Sequence, residues 1–133
     1  MMEKLKKQLK QFTDEREWDS FHDPKSLLLS LCSEVGELAD LFRWLTPEET
    51  TQAMRDPLLA DQVEQEIADV FNNLLLLAMK LDIDLVAASQ KKLAMNEKKY
   101  PAAQWKGKSW KKKLLLNQAK QPSSSLTPPL DKS

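Results

Sequence analysis

The sequence predicts an all-α protein, an antiparallel bundle of the four-helix type, and three observations support this prediction. The 133 residues include only two glycines, whereas β-rich folds need glycine at many tight turns. Apolar residues recur every three or four positions through most of residues 3–99, as on the buried face of a helix. Proline follows a capping residue at Asp23-Pro24, Thr46-Pro47 and Asp56-Pro57, a pattern typical of helix starts.

The four major helices follow one another through short connections. They are predicted at about residues 3–16, 24–44, 57–81 and 85–99. A short helix follows Thr46, because Thr46 and Glu49 form a capping box, and Tyr100-Pro101 ends the last major helix. The residues predicted to face inward on the second helix are Leu27, Leu31, Val35, Leu38 and Leu41/Phe42. Those on the long third major helix are Val63, Ile67, Val70, Leu74, Leu77 and Leu81.

Composition limits the class of protein. We expect one domain over residues 1–113 and a flexible tail over 114–133, which is rich in serine and proline. The single cysteine, Cys32, excludes a disulfide framework, and the single histidine, His22, excludes a di-iron bundle. The charged N-terminus does not resemble a signal peptide, and no apolar stretch is long enough to cross a membrane. A soluble, cytoplasmic protein without a membrane partner is therefore expected.

Two pairs of acids interrupt the apolar faces of the helices. Glu34 occupies a core position of the second helix, with Glu37 one turn on, and Glu66 and Asp69 repeat this spacing beside the apolar stripe of the long helix. Four converging carboxylates repel one another and lose solvation unless cations neutralise them. Oxygen ligands suit Mg²⁺ or Mn²⁺, and protein-bound Mg²⁺ usually also binds a substrate phosphate. The sequence thus predicts a metal site for a phosphate compound.

A basic segment follows this acidic one. Residues 34–69 carry ten acids against two arginines, and residues 91–113 carry nine lysines against one glutamate. Lys92, Asn96 and Lys99 are spaced to share one helix face and can donate to phosphate oxygens. The alternative is that both segments are ordinary solvated helix faces.

These motifs together resemble a known family. Glu34-x-x-Glu37, Glu66-x-x-Asp69 and Lys92-x-x-x-Asn96-x-x-Lys99-Tyr100-Pro101 have the order and spacing of the MazG-like all-α nucleoside triphosphate pyrophosphatases. The sequence around residues 15–44 is similar to the dCTP pyrophosphatase branch of that superfamily. The resemblance covers about residues 4–101.

The resemblance implies a fold, an activity and roles for residues. It implies a helical bundle that completes its site as a homodimer or homotetramer. It also implies Mg²⁺-dependent cleavage of a nucleoside triphosphate to monophosphate and pyrophosphate, a house-cleaning reaction of nucleotide metabolism, with dCTP as the preferred substrate. The implied ligands of the metal, which are also the catalytic residues, are Glu34, Glu37, Glu66 and Asp69. The implied substrate-binding residues are Trp18, His22 and Trp44 at the base, Lys92, Asn96 and Lys99 at the phosphates, and Asn73 and Tyr100 beside them.

Within this resemblance, Asn73 is a departure. The vertebrate dCTP enzymes carry an aromatic residue at the corresponding place, so the base and sugar preference stays open.

Among the four acids, Glu34 is our choice for the residue that takes a proton from the attacking water.

Two other classes of function compete with this one. The lysines and tryptophans of residues 98–113 are typical of a module that binds single-stranded nucleic acid. A structural adaptor, with the acids in surface ion pairs, is the other alternative. Neither accounts for acids at core positions, so nucleic acid is not expected as a partner.

Overall fold

The structure, a computed structural model, describes residues 1–107 and contains helices and no strand within them. The helices are α1 (Met2–Glu15), α2 (Pro24–Phe42), α3 (Pro47–Thr51), α4 (Pro57–Lys80), α5 (Leu85–Lys99) and α6 (Ala102–Trp105). Two 3-10 turns, Asp19–Phe21 and Ala53–Arg55, lie between them. The all-α prediction is confirmed, and each predicted major helix ends within two residues of its observed bounds. The predicted tail, 114–133, and the end of the lysine–tryptophan segment lie outside the described residues.

Residues 1–107 divide between two compact units. The first is Met1–Ser89 and the second begins at Gln90, within α5. A single domain over residues 1–113 stays a prediction. No helix among the described residues is long and apolar enough to span a membrane.

The helix starts form as the sequence predicts, because each is satisfied locally. The Asp23 carboxylate accepts a hydrogen bond from a first-turn backbone N–H of α2 at 2.9 Å, and Asp56 does the same for α4 at 3.0 Å. Thr46 and Glu49 exchange the two hydrogen bonds of a capping box at 3.2 and 3.3 Å. At the start of α5, Asp84 accepts from a backbone N–H at 3.0 Å. A cap of this kind stabilises a helix by about 1 kcal/mol.

The first unit is built on the packing of α2 against α4, and α1 also contacts α4. Its buried apolar residues are Leu27, Ala53, Val63, Leu75 and Ala78. This core is small for a unit of 89 residues, and many large apolar side chains stay exposed in the single chain.

The predicted inward face of α4 is right at Val63, half-buried at Val70 and Leu77, and wrong at three other positions. Ile67, Leu74 and Leu81 are 52%, 38% and 48% exposed, whereas Leu75 and Ala78 are buried. The reason is that residues 74–77 are all leucine, so spacing alone cannot select the face that packs on α2. On α2 the prediction is right for Leu27, but Val35 is exposed.

Candidate active site

Three acids from the two packed helices meet at one point. Glu34 and Glu37 come from α2 and Glu66 from α4, and one carboxylate oxygen of each lies within 4.8 Å of the others. They meet because the three-residue spacing puts each pair beside the apolar face through which α2 and α4 pack. The sequence thus located the cluster, although it gave no distances.

Two oxygen atoms of this cluster are buried without a hydrogen-bond donor. They are Oε2 of Glu34 and Oε2 of Glu66, which find no partner among the described residues. A buried acceptor without a donor destabilises a fold. A cation held between the carboxylates would satisfy both atoms.

The pKa values of two of these acids are raised, because no positive charge among the described residues compensates for their burial and mutual repulsion. Burial, which is the largest cause, raises the pKa of the Glu34 carboxyl to about 7 together with its interactions with Glu37, the charge of Asp69 and a hydrogen bond with Glu66. Burial also raises the pKa of Glu66, with the negative charges of Glu37 and Asp69 adding to the effect. The site holds excess negative charge and lacks thiolate and imidazole donors. This oxygen-only set fits a hard cation such as Mg²⁺ or Mn²⁺ better than zinc.

Asp69 connects the cluster to a neighbouring cavity. It lies on α4 one turn after Glu66, and its charge acts on both Glu34 and Glu66. It also lines a cavity of about 360 Å³ in the first unit. Other side chains that line this cavity and can contact a base are Trp18, His22, Ser30, Asn72 and Asn73. Asp69 is not one of the three acids that meet, but it lies between this acidic cluster and a cavity that could hold a planar, polar group.

The aromatic wall of the cavity is positioned by a short turn. Trp18 and His22 flank the 3-10 turn Asp19–Phe21, and their rings lie 6.2 Å apart in an edge-to-face arrangement. Asp19 and Lys80 form an ion pair at 2.8 Å that ties the turn to the end of α4. Of the predicted base-contacting residues, these two aromatic side chains are brought together.

Asn73 lines the same cavity, and Asn72, which sequence analysis missed, stands beside it. Four residues of α4 line the cavity. Asn72, Asn73 and Leu76 lie three, four and seven residues after Asp69. That spacing marks one helix face, and it was the signal that could have found Asn72. Ser30, on α2, was also missed, and no comparable signal pointed to it.

Trp44 stands apart from this cavity in the single chain. It follows α2, is 81% exposed, and lies under the Arg43 guanidinium, whose carbon is 4.5 Å from the ring centroid. It is not among the residues that line the Trp18 cavity. Its contact with a base stays a prediction.

The predicted phosphate-binding residues belong to the second unit. Lys92 and Lys99 are exposed on α5, and Asn96 is half-buried. The Lys99 Nζ lies 5.5 Å from the centroid of the Tyr100 ring, and that ring packs edge-to-face on Trp105 at 5.3 Å. Their role at the phosphates stays a prediction.

Comparison with known proteins gives consistent results, although no family model matches the chain. The human dCTP pyrophosphatase 1 is 38% identical over 101 residues, which are 76% of this chain and 59% of the human protein. The bovine dCTP pyrophosphatase 1 is 34% identical over 110 residues, 83% of this chain and 65% of the relative. The chain therefore spans about three-fifths of the length of these curated relatives.

One solved structure matches this chain over most of its own length. The crystal structure of a pyrophosphatase from Archaeoglobus fulgidus DSM 4304 superposes with a TM-score of 0.71 at 38% sequence identity. The match spans 75% of this chain and 92% of the archaeal one. The described fold and the local sequence are thus similar to the same group of proteins.

Proposed function

Because the chain belongs to the family of MazG-like all-α pyrophosphatases, we propose that it is a nucleoside triphosphate pyrophosphohydrolase. The reaction would convert a (deoxy)nucleoside triphosphate to the monophosphate and pyrophosphate in the cytoplasm, with dCTP as the first candidate substrate. The observation that supports this most is the carboxylate cluster, in which buried oxygens of Glu34 and Glu66 lack donors. Asp69 places that cluster beside a cavity with an aromatic wall.

Glu34, Glu37, Glu66 and Asp69 would hold magnesium, with manganese as a possible substitute. When bound, the metal supplies positive charge that neutralises the triphosphate and acidifies a nucleophilic water. We assign proton acceptance to Glu34, since its carboxylate interacts with both Glu37 and Glu66.

The remaining predicted residues would bind the two ends of the substrate. Lys92, Asn96 and Lys99, together with Tyr100, would donate to the phosphates and stabilise charge on the leaving pyrophosphate. Trp18 would stack on the base, and His22 would form a hydrogen bond to the base or the sugar.

A second copy of the chain fits this proposal. Ile67 and Leu74 on α4 and Leu81 directly after it are exposed at seven-residue spacing, and Leu28 and Val35 are exposed on α2 at the same spacing. Large apolar side chains left exposed in such rows favour a protein interface. We therefore propose a homodimer or homotetramer, in which Trp44, largely exposed in the single chain, completes the base pocket.

The test is pyrophosphate release from a panel of deoxynucleoside triphosphates with Mg²⁺, with Mn²⁺ and with excess EDTA. We expect pyrophosphate and monophosphate as the products, no turnover in EDTA, and at least about a hundredfold loss of kcat in Glu66→Ala and in Asp69→Ala. Glu64→Ala is the matched control, because Glu64 is an exposed acid of α4 outside the cluster.

The proposal fails if turnover persists in EDTA or in both Glu66→Ala and Asp69→Ala. Circular dichroism of each variant checks that the helices are retained. Unchanged thermal stability and unchanged triphosphate binding across a magnesium titration would favour the adaptor or the nucleic-acid-binding alternative.

A further inference from the structure

The amide of Asn73 is held in one orientation. Its Nδ2 donates a hydrogen bond to the backbone oxygen of Asp69, four residues earlier on α4, at 2.9 Å. Asn73 is half-buried and lines the cavity that also contains Trp18 and His22. The Asn73 side chain is therefore both restrained by its own helix and exposed to the cavity.

This bond keeps Nδ2 turned toward the Asp69 carbonyl and uses one of its two N–H groups. An unrestrained asparagine amide can turn over and exchange its donor NH₂ for its acceptor oxygen. If Asn73 turned over, Oδ1 would face the Asp69 carbonyl oxygen, and two acceptors would meet without a proton. In the observed orientation Oδ1 accepts no hydrogen bond from residues 1–107 and is available as an acceptor.

Two other groups of the cavity are also acceptors: the Asp69 carboxylate, which lies beside the acidic cluster, and the Thr13 hydroxyl, which already donates to the Lys10 backbone oxygen at 3.0 Å. The remaining polar groups do not fix the polarity of a ligand. Within residues 1–107, the Asn72 amide makes no hydrogen bond that restrains it, and the Ser30 hydroxyl makes none either, so each can donate or accept. The His22 imidazole can also donate or accept, depending on its tautomer. The Trp18 ring stacks on any base.

We propose that Asn73 is a specificity-determining residue whose Oδ1 accepts a hydrogen bond from an exocyclic amino group of the base. The inference rests on the proposed function and narrows its substrate class to triphosphates of amino-bearing bases, such as cytosine and adenine. An oxo group at the same position would face Oδ1 as a second acceptor, and both oxygens would lose hydrogen bonds on binding.

The experiment uses pairs of substrates that differ at this group and at the adjacent ring nitrogen, which gains a hydrogen when the amino group becomes an oxo group. Within each of the pairs dCTP/dUTP and dATP/dITP, an amino group is replaced by an oxo group on the same ring system. For the wild type, we expect kcat/KM to favour the amino member by about tenfold. Asn73→Leu, which keeps a side chain of similar size without polar atoms, should bring each ratio to within about twofold of one.

Asn72→Leu is the matched control. It removes an adjacent amide from the same cavity, so it can change kcat/KM for every substrate, but the ratio within each pair should stay at the wild-type value. Asn73→Ala provides a second variant, and the melting temperature of each variant checks its fold.

Two results would overturn the inference: a wild-type ratio near one in both pairs, or a ratio that Asn73→Leu leaves unchanged. Either result could occur with full pyrophosphohydrolase activity, so the proposed function would survive. If the wild type cleaves no triphosphate, the proposed function fails. The affinities for dCMP and dUMP, measured by quenching of tryptophan fluorescence, then test whether Asn73 selects the amino-bearing base. Equal affinities would overturn that role.

Discussion

Glu34 lies between Leu31 and Leu38 on α2, where the spacing of apolar residues leads us to expect another apolar side chain. Its carboxyl is instead drawn into contact with two other acids, with one oxygen buried and without a donor. Groups arranged in this way reduce the stability of the metal-free protein, and such costs are typical of functional sites. The presence of an acid at this position is therefore better explained by binding of a ligand than by a contribution to folding.

The raised pKa of Glu34 predicts how the stability of the metal-free protein depends on pH. Between about pH 4.5, the ordinary value, and about pH 7, the folded state holds a proton that the unfolded state has released. The free energy of unfolding therefore falls as pH rises through this window and is independent of this group above it. Asp19 and Asp23 have pKa values lowered from 3.8, so the stability they contribute is lost only below that pH.

We expect the melting temperature in EDTA to be lower at pH 7.5 than at pH 5.5. Glu34→Gln should reduce this difference and melt above the wild type at pH 7.5, because it removes the buried charge. Added Mg²⁺ should stabilise the wild type more than this variant. Glu64→Gln should behave as the wild type, and a wild-type melting temperature that rises with pH would contradict the prediction.

At the scale of helices, the starts could be read from the sequence and the packed faces only in part. Asp23, Thr46 and Asp56 each cap the helix that follows them, and caps are local interactions that need no knowledge of the fold. The packed face of α4 depends on α2, a distant part of the chain. A run of four leucines at residues 74–77 carries no periodic signal, so Leu75 could not be told from Leu74.

These two leucines give a matched pair for measuring the core. Leu75 is fully buried, whereas Leu74 is 38% exposed. We expect Leu75→Ala to lower the free energy of unfolding by about 2–5 kcal/mol, since it opens a cavity between packed helices. Leu74→Ala should cost clearly less. Urea denaturation at low protein concentration measures both, and equal losses would mean that the two residues are buried alike.

The candidate site was predictable to the extent that it depends on single helices. Glu34, Glu37 and Glu66 converge as expected because their spacing is fixed by helix geometry. The cavity was harder to foresee, since Asn72 and Ser30 reach it from different helices. Lys92, Asn96 and Lys99 lie in the second unit, and their part in the site stays a prediction.

For the whole molecule, the main feature is the amount of apolar surface that the single chain leaves uncovered. The exposed side chains Ile67, Leu74 and Leu81 form one row along α4 and its C-terminal cap, and Leu28 and Val35 lie at the same seven-residue spacing on α2. α2 and α4 also carry the carboxylate cluster. Covering these rows with a second copy would bury apolar area and stabilise the helices that hold the site.

This arrangement predicts that assembly and activity are lost together. Light scattering of the wild type at micromolar concentration should give the mass of a dimer or tetramer. Ile67→Lys combined with Leu81→Lys should shift the protein to a smaller species, because two buried charges without partners oppose association. Pyrophosphate release should fall with it, and raising the protein concentration should restore part of both. Met54→Lys, a change at an exposed apolar residue outside the two rows, should alter neither. A wild-type protein that is fully active as a monomer would contradict the prediction, since the exposed rows would then have no role in completing the site.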